Sequence, residues 1–229
     1  MPFDDLELLR LHIEAVWDVN LPKSTENDVD ILANGKQPPW LLYVGQLAQE
    51  RVFIWRPDVN DADRRVLQAR VDKAFILTTE EAQAQGIERE VALKFTGQPT
   101  MNLVRAQQIA RPIAVHEQAL VEAFEPGAAA YYLEPERRPL YGVSVEGRLL
   151  SIAHSARRTA KACELGVDTL PEARRRGYAL AVTILWTADV IQEGCIPFYS
   201  ALAENASSLA LAHAAGYCVF ARGISLTRI

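Results

Sequence analysis

The chain has 229 residues, of which 49% are hydrophobic and 23% are charged, and its formal net charge at pH 7 is −5. This composition is ordinary for a globular protein, and the length allows one large domain or two small ones. The negative balance argues against a general nucleic-acid-binding protein, which usually presents a basic face.

The N-terminal sequence and the cysteines favour a reducing, cytoplasmic location. The chain begins MPFDDLELLR, with acidic residues where a signal peptide needs basic ones. The longest uncharged run in the helical region, Gly177–Ala188, is too short to cross a bilayer. Cys163, Cys195 and Cys218 are odd in number and lack C-x-x-C spacing, which fits reduced and mostly buried thiols. We therefore expect a soluble cytoplasmic protein without a membrane partner.

The front of the chain predicts a helix, a hairpin and a second helix. Asp4–Trp17 carries apolar residues at helical spacing, and Asp61–Phe75 reads as a helix with a charged face. Two β-rich runs, Trp40–Val44 and Val52–Trp55, lie between these helices and predict a hairpin. The polar stretch 78–98 is ambiguous. We predict that residues 1–100 form an N-terminal extension with this helix-hairpin-helix order.

From residue 111 the sequence alternates between strand and helix patterns. The predicted elements are a short strand at Ile113–Val115, a helix at Glu117–Phe124, a hairpin of Leu140–Val145 and Arg148–His154 around Glu146-Gly147, a strand at Lys161–Leu170, a helix ending at Gly194, a strand at Ile196–Ala203, a helix opening at Asn205 and a final run Tyr217–Leu226. This order implies an α/β (α+β) fold, with a mixed sheet and helices packed on it, over residues 111–229.

Three consecutive arginines stand where a helix is predicted to begin. Arg174, Arg175 and Arg176 follow an apolar strand and Pro171, and Gly177 precedes the helical pattern. A helix N-terminus carries partial positive charge and unpaired N–H groups, so cations oppose it unless an anion docks there. Glycine lets such a ligand approach the backbone closely. Solvated arginines before a buried helix are the alternative interpretation.

The spacing Arg174-x-x-Gly177-x-Ala179 resembles the Q/R-x-x-G-x-G/A motif of the GNAT acyltransferase superfamily, whose loop holds the pyrophosphate of acetyl-CoA. Arg175 departs from the pattern, because glycine is usual there. A second block, Asn205…Gly216-Tyr217, resembles the segment of that family in which an asparagine contacts CoA. At the front, residues 8–12 (LLRLH) resemble the N-terminal extension of a group of bacterial GNAT proteins.

The resemblance implies a mixed, mostly antiparallel GNAT-like sheet and an acetyl-CoA-dependent transferase. The expected activity is direct acetyl transfer to a primary amine of a small molecule or protein. The CoA contacts implied are the backbone of Val167, Asp168 and Thr169, the residues Arg174, Arg175, Arg176, Gly177, Tyr178 and Ala179, and Asn205 and Ser208. The net charge and the lack of metal-binding spacing lead us to expect neither a nucleic-acid partner nor a metal. The first half of the chain is a candidate lid, substrate wall or homodimer surface.

The proton-transfer residues are less well defined by the sequence. A carboxylate on or near the strand before the loop usually serves as general base, and the candidates are Glu164 and Asp168, either of which has an ordinary ion-paired alternative. The tyrosine that usually protonates the thiolate is replaced by Ala212. A non-catalytic module that binds or senses acyl-CoA is therefore the second hypothesis. No P-loop or G-x-G-x-x-G motif and no metal-binding spacing of His or Cys is present in the sequence.

Overall fold

The computed structural model describes residues 3–34 and 36–228 and divides the chain into two units. Unit 1 is formed by residues 3–34, 36–93, 200–206 and 219–228, and unit 2 by residues 94–199 and 207–218. Strands β4, β9 and β10, whose bounds follow, each have residues in both units. The division into 1–100 and 111–229 stays a prediction, and both units of the structure are discontinuous in sequence.

Unit 1 has a small sheet with helices around it. Its elements are α1 (Asp5–Trp17), β1 (Asp28–Asp30), β2 (Leu42–Gln46), β3 (Arg51–Trp55), α2 (Asp61–Ala74), α3 (Thr79–Ala84), most of β4 (Ile87–Phe95) and most of β10 (Tyr217–Leu226). The strand order is β1-β3-β2-β10-β4, in which β1 pairs parallel with β3 while β2 pairs antiparallel with β3 and β10. Within the described residues, the predicted helix–hairpin–helix order of this region is therefore present.

The core of unit 1 forms where apolar side chains of α2 and of the strands meet. Trp55, Leu67 and Ile224 are fully buried members of this cluster. The Trp55 indole N–H donates to Asp28 Oδ1 at 2.7 Å, so the polar atom of this large side chain is satisfied. Strand β4 was hidden in the sequence because Glu88, Arg89 and Glu90 interrupt its apolar alternation.

Unit 2 contains the Arg174-x-x-Gly177-x-Ala179 motif. Its elements are α4 (Leu103–Ile109), β5 (Arg111–Pro112), α5 (Gln118–Phe124), α6 (Ala129–Leu133), β6 (Tyr141–Val145), β7 (Arg148–Arg158), β8 (Ala162–Thr169), α7 (Tyr178–Gln192), the first part of β9 (Ile196–Leu202), most of α8 (Ala206–Ala214) and the first residues of β10. The strand order is β9-β8-β7-β6-β5. Only the β8–β9 pair is parallel among the strand pairs of this unit whose register is defined, so the mixed, mostly antiparallel α/β sheet is confirmed.

Two helical layers pack against the unit 2 sheet. Helix α7 supplies the buried Trp186, whose indole N–H donates to Ser155 Oγ of β7 at 3.1 Å. A separate apolar cluster joins α5, α6 and the other face of the sheet, with Val121, Tyr132 and Ile152 among its members. The predicted strand at Ile113–Val115 is wrong, because strand pairing stops at Pro112 and a 3-10 turn begins at Val115.

Candidate functional site

Helix α7 begins without a side-chain cap. Its N-cap position is Gly177, which has a φ of +79° and no side chain with which to bond the first-turn N–H groups. The first bond of the helix runs from the Ala181 N–H to the Gly177 carbonyl at 3.0 Å. The N–H groups of residues 178–180 therefore have no intrahelical acceptor, which leaves this helix end open to an anion.

The three arginines immediately precede this open end and are exposed. Residues 174–177 (Arg-Arg-Arg-Gly), which we name the arginine loop, follow a 3-10 turn at Pro171–Ala173. Arg175 has a φ of +60° and Gly177 is also left-handed, so the chain turns sharply at both positions. A Cβ built at Gly177 meets only the Met101 Cε, at 3.6 Å, so the space beside it is open. The loop thus joins cationic side chains to outward-facing backbone N–H groups.

Strand β8 separates from its parallel neighbour before it ends. The register of β8 with β9 covers three pairs among the described residues, the last joining Glu164 to Phe198. Strand β8 continues to Thr169 and remains paired with β7 as far as Ser151↔Thr169. The second half of β8 therefore has one edge of backbone N–H and C=O groups free of sheet pairing, and this edge runs toward the arginine loop.

The predicted backbone contacts Val167, Asp168 and Thr169 lie on this separated half of β8. Ser151 of β7 fixes its end, because the serine hydroxyl lies 3.1 Å from the Asp168 carbonyl and 2.7 Å from Thr169 Oγ1. This leaves the backbone, rather than the Thr169 hydroxyl, as the group available to a ligand. The structure thus places the three residues beside one another and next to the loop.

The two candidate bases have different surroundings. Glu164 is buried, with 3% of its surface exposed, and its charge contributes to raising the pKa of Tyr199 and Tyr217. Asp168 lies near the strand end, at the surface. Alternation along β8 puts both on one face, and the bulge of this strand pair lies in β7, between Ser155 and Arg157.

Asp168 belongs to a small group that the sequence did not reveal. The Tyr132 hydroxyl lies 2.8 Å from Glu125 Oε2 and 3.3 Å from Asp168 Oδ2. We name Glu125, Tyr132 and Asp168 the carboxylate–tyrosine cluster. Asp168 is exposed as a residue, but partial desolvation of its carboxyl raises its pKa above the ordinary aspartate value; the hydrogen bond from Tyr132 opposes this, and the charge of Glu125 adds to it. The pKa of Tyr132 is also raised, chiefly by burial.

A buried histidine supports the cluster from the neighbouring strand. His154 packs edge-on against Tyr132, with ring centroids 4.9 Å apart, and its Nε2 lies 3.1 Å from the Tyr131 hydroxyl. Burial lowers the pKa of His154 to about 4, so the ring is neutral at pH 7. Gly166 on β8 makes room for it, because a Cβ there would lie 2.3 Å from the ring. The single signal in the sequence was a histidine within an apolar strand pattern.

Helix α8 carries the position at which the general acid was expected. Ala212 is fully buried and offers only a methyl group. On the same helix, Ser208 lies 2.9 Å from the hydroxyl of Tyr199, measured between the two oxygens. His213 is exposed and its Nδ1 lies 3.2 Å from the Tyr217 carbonyl. Asn205 lies in unit 1, where its N–H donates to the Leu202 carbonyl at 2.9 Å.

Two further features, metal-binding clusters and membrane-spanning helices, can be assessed for residues 3–34 and 36–228. No group of three or more His, Cys, Asp or Glu residues in these ranges could hold a metal ion. In the same ranges, no helix has both the length and the apolar character that a membrane span requires.

Comparison with known proteins shows similarity to one family over part of the chain. A model of the GNAT acetyltransferase family matches residues 141–221, which is less than half of the chain. No curated protein sequence matches the chain. An acetyltransferase of the GNAT family from Colwellia psychrerythraea is similar in fold, with a TM-score of 0.52 and 14% identity over 76% of this chain and 75% of that one.

Two further solved structures are similar over parts of their length. A GNAT-family protein from Novosphingobium aromaticivorans DSM 12444 is 25% identical over 61% of this chain, which spans 64% of that protein, with a TM-score of 0.47. An N-acetyltransferase-like protein from Streptococcus suis 89/1591 is 18% identical over 82% of this chain and 84% of that one, with a TM-score of 0.49. The family match covers the arginine loop and the separated half of β8. Residues 141–221 are therefore similar to a GNAT acetyltransferase domain.

Proposed function

We propose that this chain transfers an acetyl group from acetyl-CoA directly to a primary amine of a small molecule or protein. The observation that carries the proposal is the uncapped start of α7 beside the arginine loop. Open N–H groups, the helix dipole and three exposed guanidinium groups together match a pyrophosphate. The free edge of β8 next to this loop suits the amide groups of a pantetheine arm, which is an extended chain of donors and acceptors.

The proposed roles follow from these positions. Arg174, Arg175, Arg176, Gly177, Tyr178 and Ala179 hold the phosphates, while the backbone of Val167, Asp168 and Thr169 holds the pantetheine and polarises the thioester carbonyl. Asn205 and Ser208 are further proposed CoA contacts. Asp168, at the surface, is the better candidate base, because the buried Glu164 is screened from an incoming amine.

The experiment is calorimetric titration of the protein with acetyl-CoA. Wild type should bind, whereas Gly177→Glu should not, because a carboxylate at the helix start would repel the pyrophosphate. Gly177→Gln is the matched control, since glutamine has nearly the size of glutamate, meets the same backbone strain and adds no charge. Equal binding by wild type and the folded Gly177→Glu variant would mean that CoA does not dock on this loop.

A second candidate function is a module that binds acyl-CoA without turnover. The buried Ala212 favours it, because no hydroxyl stands at that position to protonate the thiolate. The two functions differ in one result. An acyltransferase acetylates at least one member of a panel of primary amines, and the reaction is followed by release of the CoA thiol. A binding module gives a normal titration curve with no thiol release from any amine.

A further inference from the structure

In the carboxylate–tyrosine cluster, the single proton of the Tyr132 hydroxyl cannot be donated fully to both carboxylates at once. The Tyr132 hydroxyl has one proton, yet two carboxylates lie within hydrogen-bond distance of its oxygen. The shorter contact, 2.8 Å, goes to Glu125, and the contact to Asp168 Oδ2 is 3.3 Å. When the proton points at Glu125, Asp168 lacks that donor and its carboxylate can take a proton from another group.

We propose that Tyr132 and Glu125 are positioning residues that hold the Asp168 carboxylate in place as the proton acceptor for the incoming amine. This inference rests on the proposed acetyl transfer and adds two residues to it. Tyr132 acts through the hydrogen bond from its hydroxyl, and Glu125 acts through its charge and by competing for the same proton. Neither residue contacts the reacting atoms.

Other titratable and charged side chains surround the cluster. His154 and Tyr131 contact each other and both pack against Tyr132, while the Arg137 guanidinium lies over the Tyr131 ring and pairs with Glu134. His154 stays neutral above about pH 4 because it is buried and lies near the charge of Arg137. The Arg137 Cζ lies 4.0 Å from the centroid of the Tyr131 ring, so the guanidinium makes a cation–π contact with that ring.

The proton balance of the reaction defines what Asp168 does. The substrate ammonium gives one proton to the Asp168 carboxylate, which frees the nitrogen lone pair for attack on the thioester carbonyl. The C–N bond forms and the C–S bond breaks through a tetrahedral intermediate. A second proton of the nitrogen ends on the CoA sulfur, and Asp168 returns its proton to water. Products are the amide, the CoA thiol and one proton.

Two substitutions should move the pKa of Asp168 in opposite directions. Tyr132→Phe removes the hydrogen bond that favours the carboxylate, so the pKa should rise. Glu125→Gln removes a negative charge and leaves a weaker acceptor to compete for the Tyr132 proton, so the pKa should fall. Each shift should be about half a pH unit or more. Because the carboxylate is the active form, the acidic limb of kcat/KM should move to higher pH in the first variant and lower pH in the second.

The measurement has two readouts, so that a failure of the coupling to Asp168 can be distinguished from a failure of the proposed acetyl transfer. Carbon-13 NMR of aspartate-labelled protein, with the signal assigned by its loss in Asp168→Asn, titrates the carboxyl whether or not the protein turns over. The pH profile of acetyl transfer, with acetyl-CoA and the best amine of the panel, tests its role in the reaction. Opposite NMR shifts without any turnover would support the coupling and defeat the proposed function.

Two neighbours serve as matched controls. Tyr131→Phe removes a hydroxyl from the same helix, but that hydroxyl contacts His154 rather than a carboxylate. Glu122→Gln removes the same charge from α5, where its carboxylate accepts from the Gly127 N–H at 2.7 Å. Both should leave the Asp168 titration nearly unchanged. Shifts of the same sign in Tyr132→Phe and Glu125→Gln, or shifts matched by the controls, would overturn the inference.

Discussion

The first turns of α2 and α7 are built in opposite ways. Helix α2 begins after Asn60, whose side-chain oxygen accepts from the N–H groups of Ala62 and Asp63 at 3.0 Å each, and its first turn carries two aspartates. Helix α7 begins after Gly177, has no acid in its first turn and follows three arginines. The first helix start is satisfied by its own sequence, and the second has no side-chain cap.

The start of α2 contains groups that stabilise a helix, and the start of α7 lacks them. A side-chain cap such as Asn60 is worth about 1 kcal/mol, and acidic residues in the first turn add favourable dipole interactions. Helix α7 forgoes both and also concentrates positive charge at its positive end. An anion bound there would replace the missing cap and balance the charge.

The largest expected effect comes from removing the cations of α7. Changing Arg174, Arg175 and Arg176 together to alanine should weaken acetyl-CoA binding on the order of 10- to 100-fold, since charge-assisted contacts to phosphate are lost. Calorimetry at two salt concentrations checks this, because the remaining binding should depend less on salt. Arg65→Ala in the first turns of α2 is the control and should leave affinity unchanged.

Removing the cap of α2 should affect stability alone. Asn60→Ala leaves the first N–H groups of α2 without their acceptor and should lower the free energy of unfolding by about 1 kcal/mol. Urea denaturation measures the loss, and Asn60→Asp, which keeps an acceptor, should restore most of it. Acetyl-CoA affinity should stay at the wild-type value; a parallel fall in affinity would break the contrast between the two helix starts.

Substitution of Arg175 by glycine should have opposite effects on fold stability and on acetyl-CoA binding. Its φ of +60° is unfavourable for a residue with a Cβ, so Arg175→Gly should stabilise the fold by up to about 1 kcal/mol. The same change removes one cation and should weaken acetyl-CoA binding several-fold. Thermal unfolding and calorimetry on one sample measure both effects. Arg176→Gly, where φ is not positive, should lower affinity without the gain in stability.

The last effect, which solvent screens because Arg111 is half exposed, concerns the 3-10 turn at Val115–Glu117, whose N-cap N–H a carboxylate satisfies. Glu117 accepts from the Ala114 N–H at 2.8 Å and pairs with Arg111 at 2.6 Å; these contacts lower its pKa to about 2. A carboxyl whose pKa falls on folding stabilises the protein above its unfolded pKa, near 4.5, and loses that contribution as the pH falls toward 2. Urea denaturation at pH 5 and pH 3 should show this loss, with a smaller change in Glu117→Gln.

The sequence could predict the elements whose chemistry is local. Glu146-Gly147 marked the β6–β7 hairpin, and both residues have positive φ in the structure. Gly194, also at positive φ, marked the end of α7. Arg174 and Gly177 marked the loop because their spacing follows a family pattern. These signals lie within a few residues of what they specify, so one chain suffices to detect them.

The carboxylate–tyrosine cluster could not be predicted for the opposite reason. Glu125, Tyr132 and Asp168 come from three elements, and only the packing of α6 on the sheet brings the tyrosine to Asp168. Their sequence context is unremarkable, since Glu125 sits in a turn and Tyr132 in a helix of five residues. The pairing of β10 with β2 in unit 1 likewise joins residues that are far apart in the sequence, so local patterns do not reveal it.

That distant pairing has a consequence for the order of folding during synthesis. Strand β2 pairs antiparallel with β10, from Leu42↔Leu226 to Gln46↔Arg222, so its partner leaves the ribosome almost a full chain length later. Until then the edge of β2 that β10 will cover is open to other chains. Deletion of residues 222–226 should therefore leave this edge of β2 unpaired, and we expect the shortened protein to aggregate.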